Sequence, residues 1–233
     1  MSEKEFIDEL NNIGVQVNDE TLKKLNTYYE MLIEYNKHIN LTGITEKKEV
    51  YLKHFYDSLT ICKVVNLENQ SVLDVGSGAG FPGLVLKIVF PNLDVTLLDS
   101  LTKRINFLND VKTKLELDKL TIINARAEEY INNEREKYDI VTSRAVAKLN
   151  ILIELCFPYV KLDGLFIPLK SILDEELNAS QEAITKLGGN LINTMEFELP
   201  KEKSKRTILV IKKITNTSVK YPRKFSEIKR KPL

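Results

Sequence analysis

Apolar positions along this chain change their period once. Up to about residue 66 they recur at helical spacing. Leu22, Leu25, Tyr29, Leu32, Ile33 and Tyr35 lie on a long amphipathic segment that Asn18 or Asp19 can cap. A shorter amphipathic helix is predicted over 5–12, and a third from a Thr45 cap through Tyr51, Phe55, Leu59 and Cys62. From residue 71 onward short apolar runs alternate with amphipathic stretches. The runs 72–75, 95–98, 120–123, 139–143 and 165–169 read as buried strands. Helices are predicted between them over 83–90, 101–117, 149–160 and 173–187, with Lys161-Leu-Asp-Gly164 as the exit turn of the third. Two last runs, 191–199 and 207–214, read as successive antiparallel strands. Alternating βα units imply an α/β fold: a doubly wound, mostly parallel seven-stranded sheet with an N-terminal helical extension. Three regions follow: the extension over 1–66, the main domain over 67–215 and a tail over 216–233. No Pro/Gly/Ser linker separates the extension from the sheet, so the two are expected to pack together.

The first strand runs into Gly76, Gly78, Gly80 and Gly83, four glycines in eight residues, and then into a helix. Strand, glycine bend, helix is a backbone made for close approach to a ligand, because glycine has no Cβ and tolerates positive φ. The helix start behind the bend is expected to offer unsatisfied N–H groups. The second strand ends in Asp99, 21 residues after Gly78. A carboxylate there can accept hydrogen bonds from ribose hydroxyls. The residues alone therefore point to a nucleoside-containing cofactor with its ribose on Asp99. Ala125-Arg-Ala-Glu128, Ser143-Arg-Ala145 and Lys170 follow the later strands at the same edge.

Composition narrows this reading. The hydrophobic content of 43% supports a packed core. Cys62 and Cys156 are far apart and lack metal-ligand spacing, which argues against zinc and disulfides and fits a reducing cytoplasm. The apolar runs are too short for a membrane span, and the first residues lack signal-peptide character. The net charge of +1 conceals an asymmetry. Residues 201–233 carry 12 Lys/Arg against 2 Asp/Glu, while the rest of the chain is net negative. A basic end suits a polyanionic partner, or is a solvated tail. Tyr221 and Phe225 interleave with its cations, as base stacking plus phosphate contact would require.

Asp74-Val-Gly-Ser-Gly-Ala-Gly80 resembles the first motif of class I S-adenosylmethionine-dependent methyltransferases. More closely, the chain resembles the 16S ribosomal RNA guanine-N7 methyltransferase G family, known also as glucose-inhibited division protein B. Tyr35-Asn-Lys-His-Ile-Asn-Leu-Thr42, His54-Phe-Tyr-Asp-Ser58, Leu97-Leu-Asp-Ser-Leu-Thr-Lys-Arg104, Arg126-Ala-Glu128 and Ser143-Arg-Ala145 fall in that family's order. The tail departs from the pattern, with Ser226 and Ile228 where Gly and Pro are usual. The resemblance implies a Rossmann-like methyltransferase fold and S-adenosylmethionine as cofactor, with Gly76, Phe81, Ala127, Glu128 and Arg144 in contact with it. It implies 16S ribosomal RNA or the small subunit as partner and guanine N7 as target, and a monomer is expected, with no membrane and no metal.

That chemistry asks little of side chains. Guanine N7 carries an in-plane lone pair and no proton at neutral pH, so no base is needed to create the nucleophile. Positioning remains, with Arg144 as the candidate to hold guanine O6 or the cofactor. Asp74 could organise the glycine bend or reach the methionine ammonium. His54 reads as a surface or packing histidine, and Asp57 as a hydrogen-bonding residue between extension and sheet. Lys103 and Arg104 suit RNA or solvent, and Arg126 an acid or a phosphate. Two rivals stand beside this reading. Gly78-Ala-Gly-Phe-Pro-Gly83 also satisfies the fingerprint of a nicotinamide-dependent oxidoreductase, and the fold could be the scaffold of a non-catalytic RNA-binding module. Removal of residues 220–233 is expected to lower RNA affinity and to leave cofactor affinity alone.

Overall fold

The computed structural model describes residues 1–144, 147–171, 173 and 176–233, and of Asn133 the backbone only. Ala145, part of the Ser-Arg-Ala motif, lies outside the described residues. Seven strands form one sheet: β1 (Ser71–Val75), β2 (Asp94–Asp99), β3 (Leu120–Asn124), β4 (Tyr138–Arg144), β5 (Val160–Lys170), β6 (Gly189–Glu198) and β7 (Lys205–Lys213). Their order is β3-β2-β1-β4-β5-β7-β6. β1 to β5 are parallel, and β7 joins β5 and β6 antiparallel. The strand order reverses beside β1, so the crevice at the C-terminal ends of β1, β2 and β4 is where such a sheet takes a ligand.

The helices before the sheet are α1 (Glu3–Asn12) and α2 (Asp19–Asn36). Ser2 and Glu5 close a capping box on α1, and Asn18 accepts from the Thr21 N–H at 2.8 Å to start α2. Asn36 stops α2, because its side-chain carbonyl accepts from the Leu41 and Thr42 N–H groups. The third predicted helix is one winding segment of changing pitch. It passes through α3 (Lys47–Val50), a π-helical stretch (Tyr51–Tyr56), α4 (Asp57–Leu59) and a 3₁₀ turn (Thr60–Lys63). Glu46, not Thr45, caps it. The wider π turn lies over Lys53 and His54, at a functional edge where such bulges are often found.

Between and after the strands come α5 (Gly83–Val89), α6 (Thr102–Lys114), α7 (Ala127–Tyr130), α8 (Leu149–Cys156), α9 (Glu176–Lys186) and α10 (Phe225–Arg230). One core continues from Phe6, Leu25, Tyr28 and Phe55 into Leu84, Val85 and Phe107, so the N-terminal helices share the apolar layer on one face of the sheet. The Tyr28 hydroxyl donates to the Ala79 carbonyl in the glycine bend. A second core fills the other face around Leu152, Phe157, Phe166, Ile211, Tyr221 and Ile228.

Three sequence expectations need correction here. The helix expected over 149–160 ends at Cys156, and a 3₁₀ turn over Phe157–Tyr159 feeds β5 from Val160. Lys161-Leu-Asp-Gly164 is no exit turn; it lies inside β5, where the register with β4 slips between Tyr138 and Ile140. Asp163 takes φ +65° there, and a Cβ on Gly164 would sit 2.9 Å from the Asp139 carbonyl, so a polar Asp-Gly pair marks a bulge. The tail also differs from a stacking platform: Tyr221 is buried in the second core and has no face free for a base.

Candidate active site

The glycine bend between β1 and α5 is built by two aspartates. Asp74 is fully buried, and its Oδ2 accepts from the Gly83 N–H at 2.9 Å. Its Oδ1 has no hydrogen-bond partner among the described residues. Burial raises the Asp74 pKa to about 7, against the pull of the Gly83 N–H. Of its two possible roles, organising the bend is the one the geometry fits. Of the helix-start N–H groups expected to be unsatisfied, those of Gly83 and Leu84 have acceptors within the bend, as do those of Gly80 and Phe81 just before them. Gly76, Gly78 and Gly80 have φ of +73°, +59° and +103°, values that β-carbon-bearing residues resist.

Asp99 closes the bend from β2. Its Oδ2 accepts from the Gly78 N–H at 2.9 Å and from Arg104 Nη1 at 3.2 Å, and its Oδ1 accepts from the Leu101 N–H at 2.9 Å. Three of about four acceptor positions on the carboxylate are thus taken, which leaves room for one hydroxyl.

A cavity of about 550 Å³ opens above this bend, at the C-terminal ends of the strands. Gly76, Phe81, Asp99, Ala127, Glu128 and Arg144 all border it. They come from the bend after β1, the end of β2, the start of α7 after β3 and the end of β4, so the parallel order of the sheet brings them together. The volume lies in the range of small-molecule sites. Arg126 also borders the cavity, whereas Lys170 turns to Glu176 at 2.9 Å. Among the described residues, no group of three or more His, Cys, Asp or Glu could hold a metal, and no helix is long and apolar enough to cross a membrane.

Two residues that sequence reasoning set aside, Asp57 and His54, shape the far side around Arg144. Arg144 is fixed by the winding segment: Nη1 donates to Asp57 Oδ2 and to the Lys53 carbonyl, each at 3.0 Å. Asp57, 5% exposed, accepts at its other oxygen from Arg206 Nε at 2.8 Å, so one carboxylate ties β4, β7 and the N-terminal helices together. Arg144 Nη2 lies 3.2 Å from His54 Nδ1. The same Nδ1 is 3.2 Å from the Lys53 carbonyl, and Nε2 lies 2.7 Å from Thr42 Oγ1. The His54 ring stacks on Phe81 at 4.4 Å between centroids, and the Arg144 guanidinium lies 5.0 Å from the same ring. Burial, aided by the Arg144 charge, lowers the His54 pKa to about 3, so the ring is neutral and a poor proton donor at pH 7. His54 is a packing histidine that borders the cavity. Phe225, from the tail, borders it too, and nothing in local spacing linked residue 225 to this pocket.

Comparison with known proteins decides the family. Residues 21–208 match the family model described as rRNA small subunit methyltransferase G. The ribosomal RNA small subunit methyltransferase G of Bacillus subtilis is 50% identical over 237 residues, covering 100% of this chain and 99% of that one. The chain belongs to the rRNA small subunit methyltransferase G family. The Acetivibrio thermocellus member is 45% identical with full coverage of both chains. Among solved structures, a methyltransferase from Pyrococcus furiosus aligns at TM-score 0.57 and 13% identity, covering 82% of this chain and 98% of that one. M. jannaschii TYW2, solved in complex with AdoMet, aligns at TM-score 0.56 and 15% identity over 73% and 77%. These distant structures share the Rossmann-like methyltransferase fold with this family member.

Proposed function

We propose that the chain is an S-adenosylmethionine-dependent methyltransferase that modifies guanine N7 in 16S ribosomal RNA of the small subunit. The observation that carries this reading is the convergence of Gly76, Phe81, Asp99, Ala127, Glu128 and Arg144 on one cavity in a member of this family. The cavity fits the cofactor by its chemistry: a side-chain-poor bend, one open acceptor position on Asp99 for a ribose hydroxyl, and an apolar ring at Phe81. Glu128 or the backbone beside it would accept from the adenine amino group. The cofactor supplies the reactive methyl and a good leaving group.

The chain's own residues then bind, orient and exclude water. Two of the five Arg144 N–H groups have no partner among the described residues, and they would hold guanine O6 or the cofactor while N7 stays open. No base is required, and neutral, hydrogen-bonded His54 supplies none. His54 and Phe81 form a stacked wall that keeps water from the reacting edge.

The test is transfer of a labelled methyl group to small-subunit RNA from cells lacking the enzyme, followed by mapping of the modified base. Label at a single guanine N7 is expected. Cofactor binding without transfer would favour the RNA-binding module, and thermal stabilisation by NAD rather than S-adenosylmethionine would favour the oxidoreductase.

A further inference from the structure

We infer that the C-terminal segment is a wall of the cofactor cavity, with Phe225 as the side chain it presents to the adenosine end of the ligand. The inference rests on the S-adenosylmethionine reading above. Phe225 is half-buried and borders the same cavity as Ala125, Ala127 and Leu155. Ala127 and Glu128 follow β3, on the side where the adenine edge would find its acceptor. A purine ring needs an apolar face as well as an edge, and an aromatic side chain supplies one.

The segment is held too firmly for a solvated tail. Arg223 clasps Glu154 on α8 through Nε at 2.8 Å and Nη2 at 2.5 Å, and its backbone N–H reaches the same carboxylate at 3.0 Å. Glu154 is 0% exposed, and a carboxylate is buried at such cost only where its partner is fixed. Glu154 adjoins Leu155, which itself borders the cavity, so the clasp sets the segment's position relative to the pocket. Arg135 donates to the Tyr221 carbonyl, and Tyr221 and Ile228 are buried in the second core on either side of Phe225. Tyr221, Arg223, Phe225 and Ile228 lie beyond residue 208, where the match to the family model ends. The expectation that removal of 220–233 spares cofactor affinity is therefore replaced by its opposite.

The experiment is calorimetric titration of the full chain with S-adenosylmethionine, S-adenosylhomocysteine and methylthioadenosine, which lacks the amino-acid end. Phe225→Ala should weaken all three by roughly tenfold. Phe225→Tyr should stay within threefold, and Lys229→Ala with Arg230→Ala should match the unaltered chain. Thermal midpoints of each variant separate weaker binding from an unfolded sample. A Phe225→Ala chain that is less stable but binds all three ligands within twofold of the original overturns the inference. So does a weakening confined to ligands carrying the methionine end. Failure of the unaltered chain to bind any of the three would instead sink the cofactor reading, and the inference with it.

Discussion

Two walls of the cavity are built in opposite ways. The glycine wall comes from one unbroken stretch, β1 to the end of β2, and two bonds within that stretch shape it, Gly83 to Asp74 and Gly78 to Asp99, with Tyr28 bonding to Ala79 from outside. The opposite wall gathers Thr42, His54, Arg144 and Phe225 from four elements, held by Asp57 with two guanidiniums and by Glu154 with a third. The first wall is a matter of backbone shape and tolerates no added atoms. The second is a matter of paired charges and tolerates no unpaired one. A local wall can be read from a motif, whereas a gathered wall needs the fold.

The largest expected effect breaks the glycine wall. A Cβ on Gly83 would lie 2.5 Å from Leu97 Cδ2 and 2.8 Å from Asp74 Cβ, with the sheet behind both. Gly83→Val should cost about 3 kcal/mol of stability. Gly78→Ala meets open space, its nearest neighbour being the Gly76 carbonyl at 4.0 Å, and carries only the strain of φ +59°, about 1 kcal/mol. Urea unfolding of the two variants measures the gap, and equal midpoints would mean the bend is not packed as described.

Next comes the charge wall. Asp57→Ala leaves Arg144 and Arg206 without a shared counter-charge. Both are partly accessible to water, so the cost should be about 2 kcal/mol, below the range for fully buried pairs. Methyl transfer should fall by more than stability explains, because Arg144 no longer has a fixed orientation. A double-mutant cycle with Arg206→Ala should return a coupling of about 1 kcal/mol. Strict additivity would show that the two arginines do not share the carboxylate in solution.

The two walls also titrate with opposite sign. Asp74 has an ordinary value of 3.8 and a folded value of about 7. Its contribution is full below 3.8 and is lost as pH rises through 7. His54 has an ordinary value of 6.5 and a folded value of about 3. Its contribution is full above 6.5 and is lost as pH falls toward 3. Between about pH 4 and 6.5 the two slopes oppose each other, each at most about 1.4 kcal/mol per pH unit. Asp74→Asn should therefore leave a chain whose stability climbs with pH across that window, and His54→Gln one whose stability declines. Denaturation of both variants at pH 4.5 and 6.5 checks the sign, and identical slopes would contradict the burial of one group.

The same contrast explains what the sequence disclosed. The strand runs, the glycine bend and Asp99 are local, because period, glycine count and spacing are properties of neighbouring residues. Gly76, Ala127, Glu128 and Arg144 were placed at that edge by the strand ends, but their contacts with the cofactor, and that of Phe81, entered through resemblance, which stores distant contacts that spacing cannot. Asp57 was readable only as a polar residue between two regions; its double pairing depends on β4 and β7 coming to meet the winding segment. Lys161-Leu-Asp-Gly164 misled because a bulge and an exit turn use the same residues. The tail misled because its charge count hides Tyr221, Ile228 and the Arg223–Glu154 pair, and only the packed sheet shows where Glu154 is buried.

The smallest effect on folding should come from the tail's outward side. Lys224, Lys229, Arg230 and Lys231 are exposed, while Arg223, a few residues away, is bound to Glu154. Changing the four exposed cations to Gln removes charge from a segment already fixed beside the cavity, so the stability change should stay within about 0.5 kcal/mol. Cofactor affinity should not move, since Phe225 and its clasp are intact. RNA affinity should drop, and the slope of log K against log salt should shallow by about 0.7 for each phosphate of single-stranded RNA that the tail no longer neutralises. Filter binding at low and high salt reads that slope. An unchanged slope would confine the tail to the cofactor wall and move the RNA-binding surface to other cations at the mouth of the cavity, with Arg126 and Arg104, both bordering it, as the first to test.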